Sequence, residues 1–192
     1  LRMELGRTQG FATTALDASA RRPQDEATIE RETSALETLA PAIADYTRRL
    51  SGASLPPTLV EALARCLRAL QYQENAAAAL REARTLGAAL GRAESPELAS
   101  AASAFVEATA ALARAADASR EDFNTGAVEL RLQEAEARYQ ALKEALLLSG
   151  AHARLDIRSM QDWLRLASLQ RRAAEQVAKA ARMIAVLEGV AP

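Results

Sequence analysis

The stretch VELRLQEAEARYQALKEALLLSG, residues 128–150, decides the fold. Val128, Leu132, Ala135, Tyr139, Leu142 and Leu146 follow one another at spacings of 4-3-4-3-4. That spacing lines them along one side of an α-helix, whereas a strand repeats every second residue. Ser149-Gly150 then reads as a glycine C-cap. Outward from this helix the same pattern recurs between breakers. Residues 154–188 carry Leu166, Leu169, Ala173, Val177, Ala180, Ile184 and Leu187. Residues 96–118 carry Leu98, Ala101, Phe105, Ala108, Leu112 and Ala115, with Ser95 as N-cap and Pro96 at the first helical position. Residues 57–90 carry Leu59, Leu63, Leu67, Leu70, Ala77 and Leu80. Residues 25–50 carry Ile29, Leu36, Leu39, Ile43, Tyr46 and Leu50, with Pro41 expected to kink or locally break that helix. Residues 1–20 form the first helix, closed by Arg21-Arg22-Pro23.

Composition agrees. Of 192 residues, 47 are Ala and 27 are Leu, against seven aromatics, so the strongest helix formers dominate and strand formers are scarce. The six helices run medium, medium, long, then medium, medium, long. Phe11, Ala15 and Leu16 correspond to Phe105, Ala111 and Leu112, Asp25 to Asp122, and Ser51-Gly52 to Ser149-Gly150, at a common offset of about 97 residues. The expected fold is all-α: two tandem antiparallel three-helix bundles, residues 1–91 and 92–192, joined near residues 91–96.

Several functions are disfavoured at this stage. A net charge of −1 shows no basic excess for nucleic acid. No apolar run approaches the roughly 18 residues of a membrane span, and the start lacks a signal peptide's apolar segment. A chain that begins at Leu1 rather than Met fits an excised domain of a longer protein. The single Cys66 lies beside Leu63, Leu67 and Leu70 and reads as a buried structural thiol in a reducing compartment. His152, the one histidine, reads as a solvated turn residue, so no His-based triad or Cys/His zinc set is available. No catalytic residue, cofactor or glycine-rich phosphate loop is expected, and the chain reads as non-enzymatic.

Two sets of residues carry the remaining interest. Leu63, Leu67, Leu70, Glu74 and Ala77 step 4-3-4-3, which puts Glu74 on the apolar stripe of the third helix. A carboxylate there is ion-paired, at a solvated edge, or a metal ligand. Arginine outnumbers lysine 22 to 2, which favours the paired reading and leaves Glu74 a weak metal candidate. On the sixth helix Asp162, Arg165, Arg171, Arg172 and Glu175 surround Trp163 as a mixed polar face. That face is either simply solvated or a docking surface, since Trp and Arg are enriched at interface hot spots.

The helix order and local strings resemble the PhoU-like domains at the C-terminal, cytoplasmic end of bacterial sodium/phosphate cotransporters. Arg2-Met3-Glu4-Leu5 to Leu16 is similar to the segment following the last membrane span. Ala35-Leu36-Glu37 to Leu50 is similar to the family's second helix, and Leu155-Asp156-Ile157 through Leu169-Gln170-Arg171-Arg172 to Val177-Ala178 to its C-terminal stretch. Leu70-Gln71-Tyr72-Gln73-Glu74-Asn75 falls where the family carries an acidic metal motif, Glu/Asp-x-x-x-Asp. Here Glu74 matches the first position, but Ala78 stands at the second. The corresponding stretch of the second half, Ser168 to Ala174, has no carboxylate.

The resemblance implies a non-enzymatic regulatory or assembly domain of a sodium-dependent phosphate transporter, without a metal cluster. It would act on the cytoplasmic side of the inner membrane as a domain of a membrane protein. Its partner would be the transmembrane part of the cotransporter, whose conformation the domain could bias, or, as a homodimer, it could hold two transporters in register. The alternative is a freestanding PhoU-like adaptor that acts in trans on a phosphate-signalling protein.

Overall fold

The computed structural model describes residues 1–21, 25–51, 55–87 and 95–188. Those residues form six helices: α1 (Arg2–Ala20), α2 (Glu26–Ser51), α3 (Pro57–Gly87), α4 (Pro96–Ala115), α5 (Thr125–Ala151) and α6 (Ile157–Glu188). At 31 and 32 residues, α3 and α6 are the longest, as their stripes predict. No strand occurs among the described residues.

Four of the six starts, those of α2, α4, α5 and α6, are fixed by a side-chain cap. The Ser95 hydroxyl accepts from Leu98 N at 3.1 Å, with Pro96 opening α4, and Asn124 Oδ1 accepts from Ala127 N at 2.7 Å ahead of α5. Asp25 and Asp156 do the same for α2 and α6, accepting from Thr28 N at 3.1 Å and Ser159 N at 3.0 Å. These side chains satisfy amide donors that have no carbonyl within the helix. They also hold both Asp25 and Asp156 below the ordinary carboxylate range, through the hydrogen bonds from Thr28 and Ser159.

Helices α1–α3 pack on one another, as do α4–α6, which gives two three-helix units. The most extensive packing lies between them, where α3 and α6 run antiparallel: Asn75 meets Gln176, and seven residues on Glu82 meets Arg165. α1 also reaches α4 and α6. The main core therefore draws on every helix, including Leu16, Leu36, Leu80, Leu112, Val128 and Val177. A smaller cluster within α4–α6 is built on Leu98, Phe105, Leu142, Leu146 and Trp163. Alanines such as Ala69, Ala76, Ala173 and Ala180, all fully buried, let the long helices approach closely. The expected junction near 91–96 lies largely outside the described residues.

Local expectations needed correction at four places. α2 runs continuously through Pro41, which removes the break but not the kink that the proline was expected to cause. Both Pro41 and Glu37 are exposed, and water can serve the Glu37 carbonyl that the proline leaves without a donor. α4 stops at Ala115 rather than near 118, where Asp117 Oδ1 captures the Ser119 N–H at 3.0 Å. Gly150 is not the C-cap of α5, which continues to Ala151. The helix closes on Ala153 at φ 54°, with Arg154 N donating to Ser149 O at 2.9 Å and Ala153 N to Gly150 O at 3.0 Å. That is a Schellman closure whose left-handed residue is an alanine. Gly150 instead makes room for Met160, because a Cβ there would lie 2.4 Å from the Met160 sulfur. Finally, Tyr46, Leu59 and Leu67, read as stripe residues, are exposed.

Candidate functional site

On α3 the seam that faces the neighbouring helices runs through Cys66, Ala69, Leu70, Gln73, Ala76, Ala77, Leu80 and Ala83. It keeps Leu63, Leu70, Ala77 and Leu80 of the stripe read from sequence but takes Cys66 and Gln73 in place of Leu67 and Glu74. Glu74 is consequently exposed, and the buried-and-paired reading is wrong. The polar residue that enters the core is its neighbour Gln73, fully buried. The available signal was the run of small residues at 66, 69, 76 and 83, which marks close helix contact better than isolated leucines do. Cys66 is buried as expected, and burial pushes its thiol upward and away from reactivity. His152 is exposed at the end of α5.

Gln73 belongs to a relay at the centre of the molecule. Its Nε2 donates to Gln9 Oε1 at 3.0 Å, and Gln9 Nε2 donates to the carbonyls of Ala116 at 3.0 Å and Val177 at 3.1 Å. Farther along α1, buried Gln170 donates to Ser19 O at 2.6 Å and Ser19 Oγ at 3.2 Å. Glutamines from α3 and α6, 97 positions apart in the chain, thus both reach α1. These amides tie one helix to both halves and offer no reactive group.

The face expected around Trp163 divides in two. Trp163 is buried in the smaller core and cannot anchor a partner from the surface. Arg165 and Arg172 are exposed. Arg165 Nε donates to Glu82 at 3.1 Å across the α3–α6 seam, and Arg171 donates to Glu136 of α5 at 3.2 Å. The Arg171 guanidinium also stands 5.2 Å from the Tyr139 ring centre. The residues grouped along the sequence therefore point into a core, across one seam and across another. They do not form a single patch: Arg165 and Arg172, seven residues apart, share one face, Trp163 lies on the opposite side, and Arg171 is turned about 100° from Arg172.

The family's metal motif can be judged on the same residues. Beside exposed Glu74 and Ala78, Gln71 donates to Asn75 at 3.3 Å and Asn75 to Gln176 at 3.5 Å, and Lys179 lies over Tyr72. The nearby Glu175 is paired with Lys179 at 2.6 Å. In the other half, Gln170 is occupied by Ser19, and Ala174 is buried. Among the described residues no three His, Cys, Asp or Glu side chains converge. Amides, an ammonium and alanines do not make a hard-cation site, so the residues present do not fit the family's cluster.

Six helices in two three-helix units make a PhoU-like all-α fold. Among solved structures the chain is similar to PhoU from Pseudomonas aeruginosa, with a TM-score of 0.68 over 99% of this chain and 92% of that one, at 11% sequence identity. No family model and no curated protein matches the chain. Among the described residues, no helix is long and apolar enough to cross a membrane.

Proposed function

We propose that this chain is a non-enzymatic regulatory or assembly module of phosphate uptake that works through helix packing and protein contacts. The observation that carries the reading is the likeness to PhoU over nearly the full length of both chains. The sequence resemblance to cotransporter domains supports the finer assignment: a cytoplasmic domain of a sodium-dependent phosphate transporter, held beside its membrane part. In that setting the tightly tied α1, which would follow the last membrane span, passes a displacement to both bundles. Such biasing needs contacts that differ between two transporter states. The second reading, a freestanding adaptor acting in trans, rests on the same likeness, since the neighbour's name is that of PhoU itself.

In-frame deletion of residues 1–192 from the chromosomal gene tests both. Altered phosphate uptake at unchanged protein abundance supports regulation. Its restoration by the chain expressed separately favours the adaptor, and restoration only by the covalently joined chain favours the transporter domain. Unaltered uptake and expression overturn the proposal.

A further inference from the structure

Of the bulky apolar side chains exposed on α2, α3 and α6, all but Ile157 gather at one end of the molecule. α3 runs antiparallel to α6, and antiparallel also to α2, where Arg81 meets Glu37 and Arg84 meets Glu30. The first turns of α3 therefore lie beside the last turns of both. A cleft of about 480 Å³ marks the α3–α6 side, lined by Ala64, Arg65 and Arg68 opposite Met183 and Val186. Around it Tyr46, Leu59, Val60, Leu67 and Val186 are 37–55% exposed. Val60, Ala64 and Leu67, spaced four and three, stand on one outward line of α3. Large apolar groups clustered in water are unfavourable, and such a cluster marks a contact surface.

Charge at this end says what covers it. The last turns of α2 and the first of α3 carry Arg48, Arg49, Arg65 and Arg68 against Asp45 and Glu61. With Arg2, Glu4 and Arg7 of α1 and Glu188 of α6, the end holds six arginines and four carboxylates, in a chain whose net charge is −1. Asp45 serves both Arg49, at 2.7 Å, and Arg48, at 4.0 Å. Glu61, itself exposed, comes only within 3.8 Å of Arg65, a separation and exposure that bind weakly. Among the described residues no carboxylate lies within ion-pair distance of Arg68. Arg65 and Arg68, which line the cleft, thus keep most of their capacity for an anion. A second copy seated here would set these arginines against their own kind, which like-charge repulsion opposes.

We propose that this end docks on the surface of an anionic lipid bilayer. Arg65 and Arg68 take lipid phosphates, whose oxygens match the guanidinium fork. Val60, Leu67 and Val186 enter the boundary between headgroups and acyl chains, and Tyr46 lies at headgroup level, where tyrosine is favoured. A free anion would satisfy the arginines and leave the apolar side chains wet, whereas a bilayer meets both needs at once. The contact does not depend on the proposed role in phosphate uptake, and it holds for a tethered or a freestanding chain.

Flotation of the full chain with vesicles tests this. The protein is expected to float with vesicles of phosphatidylcholine and phosphatidylglycerol in equal amounts, more at low salt than at high, and not with phosphatidylcholine alone. Arg65→Glu/Arg68→Glu lowers the partition coefficient at least about tenfold. Val60→Ser/Leu67→Ser also lowers it about tenfold, through lost apolar burial. Leu147→Ser/Leu148→Ser, equally exposed but on α5, leaves it unchanged. All six positions are outside the core, and unchanged circular dichroism shows that each variant is folded. Absence of flotation with the anionic vesicles, equal flotation with phosphatidylcholine alone, or equal loss in the two serine pairs overturns the proposal. Retention on immobilised polyglutamate without vesicle binding assigns the face to an acidic protein and overturns it too. So does a dimer, formed without vesicles, that Val60→Ser/Leu67→Ser dissociates.

Discussion

Gln73 on α3 donates to Gln9 on α1 at 3.0 Å, and both side chains are fully buried. The carbonyl of Ala116, to which Gln9 Nε2 donates, belongs to the C-cap of α4, one of the groups a helix end leaves without a partner. Replacing Gln73 with Leu strands the Gln9 oxygen, and replacing Gln9 with Leu strands Ala116 O and leaves the Gln73 amide only its longer 3.4 Å bond to Leu5 O. Each single change should cost about 1–3 kcal/mol. The double variant should cost less than the sum, because each change removes the other's orphaned partner. Urea titrations with a common slope would measure this, and strictly additive losses would show that the two amides act independently.

Glu74, exposed and off the seam, should tolerate removal. Glu74→Ala is expected to change stability by no more than about 0.5 kcal/mol, since alanine is the better helix former and no buried partner is stranded. A urea midpoint loss equivalent to about 3 kcal/mol would mean that the carboxylate is buried and paired after all.

Ala153 is the single non-glycine residue at positive φ among those described. The left-handed conformation costs an alanine about 1 kcal/mol that glycine does not bear. Ala153→Gly should therefore stabilise the protein by about 0.5–1 kcal/mol, read as a raised melting temperature. A lowered one would show that the α5–α6 turn is not held in this closure.

The caps Asp25 and Asp156 predict an acid limb. Each has its carboxyl lowered by the side-chain and then the backbone hydrogen bond of Thr28 or Ser159, so each contributes stability that is present above its unfolded value, near pH 4, and is lost as pH falls through the depressed folded value. Asparagine caps comparably without titrating. In Asp25→Asn/Asp156→Asn the melting temperature should therefore fall less than in the parent between about pH 5 and pH 2. Parallel curves would remove these two caps from the acid response.

Sequence by itself determined the helices. Spacings such as Val128 to Leu146, the abundance of alanine and leucine, and the Ser95-Pro96 start are local properties, and backbone hydrogen bonding within a helix is local too. It also brought out the two-unit arrangement, because three helices of rising length recur at a constant offset. What it could not fix was which residues flanking each stripe turn inward. On an alanine-rich helix the apolar arc is wide, and a shift of one residue turns the face by about 100°. On α3 packing took Gln73 inward rather than Glu74, and on α6, whose stripe from Leu166 to Ile184 is buried as read, it put Trp163 into a core and sent Arg165 and Arg171 to different seams. Tertiary packing decided these points, since only the opposing helices say which side must be small enough to approach and which polar atoms will find a partner there. The apolar, arginine-bearing end was equally out of reach of the sequence: Tyr46, Leu67 and Val186 lie on three different helices and come to one end of the molecule only when α2 and α6 pack against α3.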